Sequence, residues 1–414
     1  MHLPQAALAG PFVSILSIVV FLLPSTHALP HSAAAPAKPH DTRATAFTHP
    51  GLLHTAADFE RITANVNAKK EPWYSGWQKL AAHADPDYVA TPEETVVRDS
   101  PGGNYPHLYH DAAAAYALAV YWKVTGDSTY ADTAAAILDA WSAALKEITG
   151  ASDKFLASGI YGYQLANAAE ILRDYEGWDG FPALVDMLVR VFYPMNRDFM
   201  VRHNDAAVDH YWANWELCNL ATMEAVGILS DNSTMFYEAL HWFQHGEGNG
   251  ALLNTLWKTY EEEGSGKVLA QGQEAGRDQG HSMLDFALLG VLAQQAYNQG
   301  DDVFGYSENL ILAGAEYAAK YNLGNDVPYT TYTNSDETQT VISANGRGNI
   351  RPAWELLYAH YGVLKGLDAE WTRQYRDMVV EAGDGAEGGG GDYGSSSGGF
   401  DQLGFGTLLF RLDE

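Results

Sequence analysis

The stretch DAAAAYALAVYWKVTGDSTYADTAAAILDAWSAAL (residues 111–145) decides the fold. Its first half is Ala-rich and apolar almost all round. In its second half Tyr130, Ala134, Ile137, Leu138, Trp141 and Leu145 recur at steps of three and four, which puts them on one stripe of a helix. Thr125-Gly126-Asp127 separates the halves: Gly126 suits the left-handed residue that ends a helix, and Asp127 can cap the next. The unit is a helix hairpin. Working outward, similar helical periodicity recurs at residues 55–68, 159–175, 181–196, 209–230, 233–244, 280–298, 307–321, 352–365 and 368–382. Strand signals are confined to Pro328–Thr333 and Thr338–Ile342. The expectation is an all-α fold, an incomplete (α/α) toroid of about six or seven helical hairpins with few short strands. Its inner helices should bury both faces, and its loops should form a cleft at one end.

The chain has 414 residues, 47% of them apolar, and carries 24 Lys+Arg against 52 Asp+Glu, a net charge of −28. That excess speaks against nucleic-acid binding, which needs a basic face, and against docking on anionic membranes. The single cysteine, Cys218, excludes an intrachain disulfide and Cys-based zinc or iron–sulfur sites. Residues 1–28, with the apolar run PFVSILSIVVFLL (Pro11–Leu23), read as a secretory signal too short to span a bilayer comfortably. Residues 29–46 read as a flexible leader, and 47–414 as a single domain. The Gly-rich segment Gly383–Gly399 leads into the apolar Phe400–Phe410, so it is expected to pack on the domain rather than act as a linker. Asn232-Ser233-Thr234 is an N-glycosylation sequon, in keeping with an extracellular protein.

Three clusters of polar residues could carry chemistry. In HYWANWELCN (His210–Asn219), His210, Asn214 and Cys218 are four apart and would share a helix face among Trp212 and Trp215. In GRDQGH (Gly276–His281), Asp278 can cap a helix beginning near Gln279. Arg277, that N-terminus and His281 then make a positive corner suited to a carboxylate, with Asp285 placed to orient the imidazole. In RPAWELLY (Arg351–Tyr358), Pro352 fits the first turn, and Arg351, Glu355 and Tyr358 fall on one stripe beside Trp354. An arginine near the Tyr358 phenol would lower its pKa, as a general base requires. His241 and His245 have helical metal-pair spacing but enclose no HExxH glutamate, so no metal or cofactor is expected.

These blocks resemble the alginate-lyase superfamily of α/α-toroid polysaccharide lyases. The resemblance runs over roughly residues 47–412, through HPGLLHTAADFERI (His49–Ile62), GIYGYQLANAAEILR (Gly159–Arg173), HYWANWELCNLA (His210–Ala221) and GRDQGHSMLDFALLG (Gly276–Gly290). It continues in EYAAKYNLGNDVPYTTY (Glu316–Tyr332), RPAWELLYAHY (Arg351–Tyr361) and the ending SGGFDQLGFGTL (Ser397–Leu408). It implies a secreted lyase that cleaves 1,4-linked uronate polymers, alginate, mannuronan or glucuronan, by β-elimination without a cofactor. The resemblance assigns Asn214 and His281 to neutralising the C6 carboxylate and Tyr358 to base and acid. Arg351 or Arg277 would tune that tyrosine or grip a carboxylate, and His210 is an alternative base. Tyr163, Tyr211 and Tyr361 are alternative tyrosines. Arg277, Trp212, Trp215, Trp354 and Gln279 are the candidate sugar-binding residues. One departure from the family pattern matters: Val208-Asp209-His210 stands where related bacterial enzymes carry Asn-Asn-His. A hydrolase of acidic polysaccharides using a carboxylate pair among Glu216, Asp278 and Glu355, or a non-catalytic polysaccharide-binding protein, are the alternatives. With a net charge of −28 the surface should repel a polyuronate at long range, so the cleft around Arg277, His281 and Arg351 is expected to be locally positive or neutral.

Overall fold

The computed structural model describes residues 46–414; the expected signal and all but the last residue of the leader lie outside the described residues. In chain order the elements are α1 (Ala56–Asn67), α2 (Trp73–His83), β1 (Thr95–Arg98), α3 (Tyr105–Thr125), α4 (Ser128–Ala144), β2 (Glu147–Gly150), α5 (Lys154–Leu172), α6 (Phe181–Met187), α7 (Tyr193–Arg202) and α8 (Ala213–Leu229). There follow α9 (Ser233–His245), α10 (Leu252–Thr255), β3 (Lys258–Glu261), β4 (Val268–Gln271), α11 (Gln279–Asn298), α12 (Tyr306–Asn322), β5 (Tyr332–Thr333), β6 (Thr338–Gln339), α13 (Trp354–Tyr358), α14 (Glu370–Ala382) and α15 (Gly406–Leu409).

The hairpin that opened the reading is there. Gly126 ends α3 with φ 75°, and Asp127 caps α4 by accepting from the Thr129 N–H. Packing runs α3 to α5 to α8 to α11 to α13, and α4, α9, α12 and α14 lie against this inner series. The inner helices have no solvent stripe: α8 is buried from end to end, and α5 from Ala157 to Leu172. By contrast α9 buries only Phe236, Ala239, Leu240 and Phe243, at steps of three and four. α5 and α8 approach so closely that a Cβ on Gly159 would collide with the Cys218 sulfur. Cys218 is therefore a packing residue.

The gap between α13 and α1 is filled from the C-terminus. α15 packs on α1, α2 and α13, Arg61 Nη2 donates to the Leu409 carbonyl at 2.7 Å, and Trp73 Nε1 to the Arg411 carbonyl at 3.0 Å. The Gly-rich segment is folded onto the domain as expected. The Gly391 N–H donates to the Gly399 carbonyl, and Phe400 stacks on Tyr109 with centroids 4.7 Å apart. Gly404 bridges Gly389 at φ 72°, a backbone conformation that favours glycine.

Four local expectations change. The helix expected over 181–196 is interrupted by a π-turn at Leu188–Phe192, next to Pro194, which has no N–H to continue the ladder. The one expected from 209 starts at Ala213, because Trp212 is extended and the Ala213 N–H is taken by Gln273 Oε1 at 2.8 Å. His210 is thus off the helix and does not share a face with Asn214. α13 is one short turn followed by a π-turn at Ala359–Leu364. Finally α2, the parallel pair β1–β2 and the hairpin β3–β4 were not anticipated; each strand is only four residues long, and α2 buries only Trp73, Gly76 and Leu80. The strands expected at 328–333 and 338–342 shrink to two residues each, paired antiparallel with Tyr332 opposite Gln339.

Candidate active site

The N-termini of α8 and α11 meet at a buried carboxylate. Glu274, fully buried, accepts from Asn214 Nδ2 at 2.6 Å, from the Asn214 N–H at 3.2 Å and from Arg277 Nη1 at 2.7 Å. The Arg277 guanidinium lies 5.3 Å from the Trp212 ring. Its Nε and Nη2 carry no hydrogen bond within the described residues. Asp278 caps α11 as expected, accepting from the His281 N–H at 2.9 Å. Its second oxygen is 2.6 Å from His281 Nδ1, so that nitrogen donates and Nε2 faces outward on a ring 41% exposed. Burial would push the Asp278 carboxyl up, but the hydrogen bond from His281 more than reverses this and holds it at about 2. The carboxylate orients the ring, a role expected of Asp285. Asp285 is instead fully buried against Glu274.

Two further arginines reach the same place. Arg351, just ahead of α13, donates from Nη1 to Asp401 Oδ2 and Gln402 Oε1, each at 3.2 Å. Arg98, at the end of β1, sits 5.0 Å over the Tyr105 ring and 3.8 Å from Asp153 Oδ2. Asp401 senses Arg351, Arg98 and His281 together; burial lifts its pKa against their pull. Burial and a hydrogen bond with Asp99 lift Asp153 to about 6, against the pull of Arg98 and Arg277. Through these shared carboxylates Arg98, Arg277, Arg351 and His281 lie in one neighbourhood, with His281 half-exposed. The neighbourhood is not a positive corner. Glu274, Asp278, Asp401 and Asp153 answer the three arginines, so the locality is charge-balanced, with unused N–H donors on the guanidinium groups.

The remaining candidates lie elsewhere or have other duties. His210 lies in the turn before α8, its N–H donating to the Ala207 carbonyl at 3.0 Å and its ring 3.9 Å from Asp336. Gln279 is buried, donates to the Ala275 and Ser343 carbonyls and accepts from Asn322, so it holds loops together rather than meeting a sugar. Trp354 is fully buried between Phe286 and Tyr375, and Trp215 packs on Phe199 and Tyr211; both are core rather than stacking platforms. Tyr358 is displaced most. Leu356 and Leu357 of the same turn pack against Gly290, nine residues and ~14 Å of helix rise beyond His281 on α11. The Tyr358 ring lies under the Arg376 guanidinium at 4.4 Å. Burial and Glu414 raise its pKa against the pull of Arg376, the opposite of what a base needs. The one-stripe reading of Arg351, Glu355 and Tyr358 failed because Arg351 precedes the helix and α13 ends in a π-turn. Tyr163 and Tyr361 donate to buried carbonyls, those of Asp401 and Phe304, and Tyr211 accepts from Asn204. Glu216 and Glu355 are buried and paired, with His203 and with Arg411, so neither offers a hydrolase carboxylate opposite Asp278.

Sequence reasoning missed Arg98, Asp153, Glu274 and Asp401. Glu274 sits three residues before Arg277, and Asp401 lies in a block quoted for the resemblance, but nothing in the sequence pairs either with an arginine. Among the described residues no group of three or more His, Cys, Asp or Glu could hold a metal ion, and no helix is long and apolar enough to cross a membrane. His241 and His245 stack 5.3 Å apart.

Comparison with known proteins places the fold. No curated protein matches the sequence. Among solved structures, an alginate lyase from Bacteroides ovatus aligns with a TM-score of 0.53 at 10% identity, over 88% of this chain and all of that one. Alginate lyase A1-III from Sphingomonas species A1 aligns at 0.50 and 15% identity, over 76% of this chain and 89% of that one. A variant of alginate lyase A1-III complexed with a tetrasaccharide aligns at 0.54 and 15% identity, over 86% and 94%. At these identities the likeness shows the fold. The sequence profile described as alginate lyase matches residues 60–327, well over half the chain, and takes in Arg98, Asn214, Glu274, Arg277 and His281 while stopping short of Arg351 and Asp401. The chain therefore belongs to the alginate lyase family.

Proposed function

We propose that this protein is a polysaccharide lyase that cleaves 1,4-linked uronate polymers by β-elimination at the site around Arg98, Arg277, His281 and Arg351. The observation that carries the reading is the half-exposed His281 imidazole, fixed through Nδ1 by Asp278, beside two arginines with unused donors. The C5 proton of a uronate becomes acidic only when its C6 carboxylate is neutralised. Arg277 and Arg351 supply the N–H groups for that, and the buried Trp212 ring packs against the Arg277 guanidinium and holds it in place. His281 Nε2 takes the C5 proton, a C4–C5 double bond forms, and the C4–O4 bond breaks with its electrons on O4. The imidazolium then returns the proton to O4, as suits a sugar whose H5 and O4 lie on one face, as in mannuronate and glucuronate. Asn214, bound to Glu274, anchors Arg277 from behind rather than meeting the sugar itself.

The test follows ultraviolet absorbance of the unsaturated product on alginate, mannuronan and glucuronan. A rise with the native protein and its loss in His281→Ala supports the reading. Reducing ends without absorbance would point to a hydrolase, and neither to a binding protein. The reading extends to secretion. Asn232 caps α9 through Oδ1, which accepts from the Thr234 and Met235 N–H groups and leaves Nδ2 for a glycan. A secreted product from a eukaryotic host should lose mass on deglycosylation at Asn232.

A further inference from the structure

Glu274 is the hub of the site: one buried carboxylate receives Asn214 twice and Arg277 once. A hub of that kind must itself be held. Within hydrogen-bond reach of it is Asp285, one turn beyond His281 on α11 and, like Glu274, buried. No cation separates the two carboxyl groups. Arg277 is bound to Glu274, and Asp278, the third acidic group facing Asp285, is turned to His281. Asp285 Oδ1 has no partner. Two buried carboxylates in contact cannot both stay ionised, so one proton is shared between them. The proton belongs on Asp285, because Glu274 already accepts three N–H donors that favour its charge.

We infer that Asp285 is a positioning residue: as a neutral carboxylic acid it donates a hydrogen bond to Glu274 and fixes the carboxylate that aims Arg277 at the substrate. Burial and the neighbouring Glu274 both raise its pKa well above the carboxylate range, in agreement with the geometry. The arrangement explains an acidic residue deep in a site for an anionic polymer, because a protonated Asp285 brings no charge there. It also explains why Asp285 does not orient His281, a duty that Asp278 performs. The inference rests on the lyase reading for its effect on turnover, but the protonation of Asp285 can be read independently.

Asp285→Asn keeps the shape, stays neutral at every pH and donates an N–H to Glu274. It should preserve kcat, KM and the pH profile on the preferred polyuronate. Asp285→Ala should lower kcat/KM by about tenfold or more, the cost of one hydrogen bond to a charged group, and Asn at this position should rescue it. In infrared difference spectra, Asp285→Asn should lose one protonated-carboxyl carbonyl component that the native protein, His281→Ala and Glu387→Gln all keep, the remaining components belonging to the other buried protonated carboxyls such as Glu387 and Glu224. An inactive Asp285→Asn, or an unchanged band, would overturn the inference, and the band decides even if Asp285→Ala does not fold. If the native protein cleaves no polyuronate while the band behaves as stated, the lyase reading fails and the protonated Asp285 stands.

Discussion

Arg351 and Arg376 lie on two sides of α13, and they are used in opposite ways. Arg376, nearly buried, donates to Glu414 at 2.6 Å, reaches Asp377 at 2.7 Å and faces Glu355 at 3.9 Å. Its neighbour Arg411 holds Glu355 at 2.8 Å, and Arg373 holds both Glu370 and Asp377. Arg351 uses only Nη1 on its two partners. Arg277, likewise, uses one nitrogen on Glu274 and lies against Trp212. Arginine density therefore does not mark a site in this protein; donor capacity left over beside the half-exposed His281 does. A saturated cluster locks helices together, whereas an unsaturated one can take a carboxylate in a bidentate grip.

The largest effect should come from the open side. His281→Ala should cut turnover on a polyuronate by about two to four orders of magnitude, the usual worth of a general base. Its melting temperature should stay close to native, because the ring is 41% exposed. A mutant that turns over normally would remove the comparison altogether.

On the closed side the same kind of truncation should act on stability. Arg376→Ala leaves Glu355 with Arg411 and Asp377 with Arg373, strips the half-exposed Glu414 of its partner and removes a buried guanidinium from over Tyr358. A loss of about 2 kcal/mol is expected in denaturant unfolding, mostly from the lost packing of the buried guanidinium because the carboxylates it leaves are half-exposed or still paired, with kcat unchanged. If turnover fell with stability intact, the two sides would not be separate.

A smaller effect should appear with pH. Glu387 lies in the Gly-rich segment and lines a ≈ 40 Å³ internal cavity together with Gln402, the partner of Arg351. Its Oε1 accepts from the Gly406 N–H at 3.1 Å and its Oε2 has no partner. Burial, reinforced by Glu355, raises it to about 8. The folded protein then holds a proton that the unfolded chain releases near the ordinary value of 4.5. Its contribution is complete below that value and is lost as pH rises through about 8. Glu387→Gln should flatten this loss, so melting curves of native and variant should separate most at pH 8 to 9, a window taken from the shift itself.

The comparison also shows what was legible in the sequence. The hairpin at 111–145 and the cap at Asp278 depend on neighbours a few residues apart and were read from spacing, and the packing of the Gly-rich ending was read from the apolar run that follows it, although the partners it found lie hundreds of residues away. Arg98, Glu274 and Asp401 were not. Arg98 reaches Tyr161 across 63 residues, Glu274 reaches Asn214 across 60 and Arg351 reaches Asp401 across 50. No periodicity encodes pairings of that length. The error over Tyr358 has a different origin. An ideal helix carried through Pro352 to Tyr358 would have faced the phenol toward Arg351, but the helix starts at Trp354 and gives way to a π-turn after five residues.

The smallest effect is therefore the most discriminating. Tyr358→Phe removes a hydroxyl from the closed side of α13, under Arg376 and beside Glu414. Its kcat/KM should stay within about twofold of native, since neither a proton path nor a carboxylate contact runs through it. The ring itself still packs under the guanidinium, so stability should shift by no more than about 0.5 kcal/mol, as for a change outside the core. A collapse of turnover in this variant alone would mean that substrate enters from the Arg376 side. The saturated cluster would then be the one that opens, and the assignment of the two arginines would have to be exchanged.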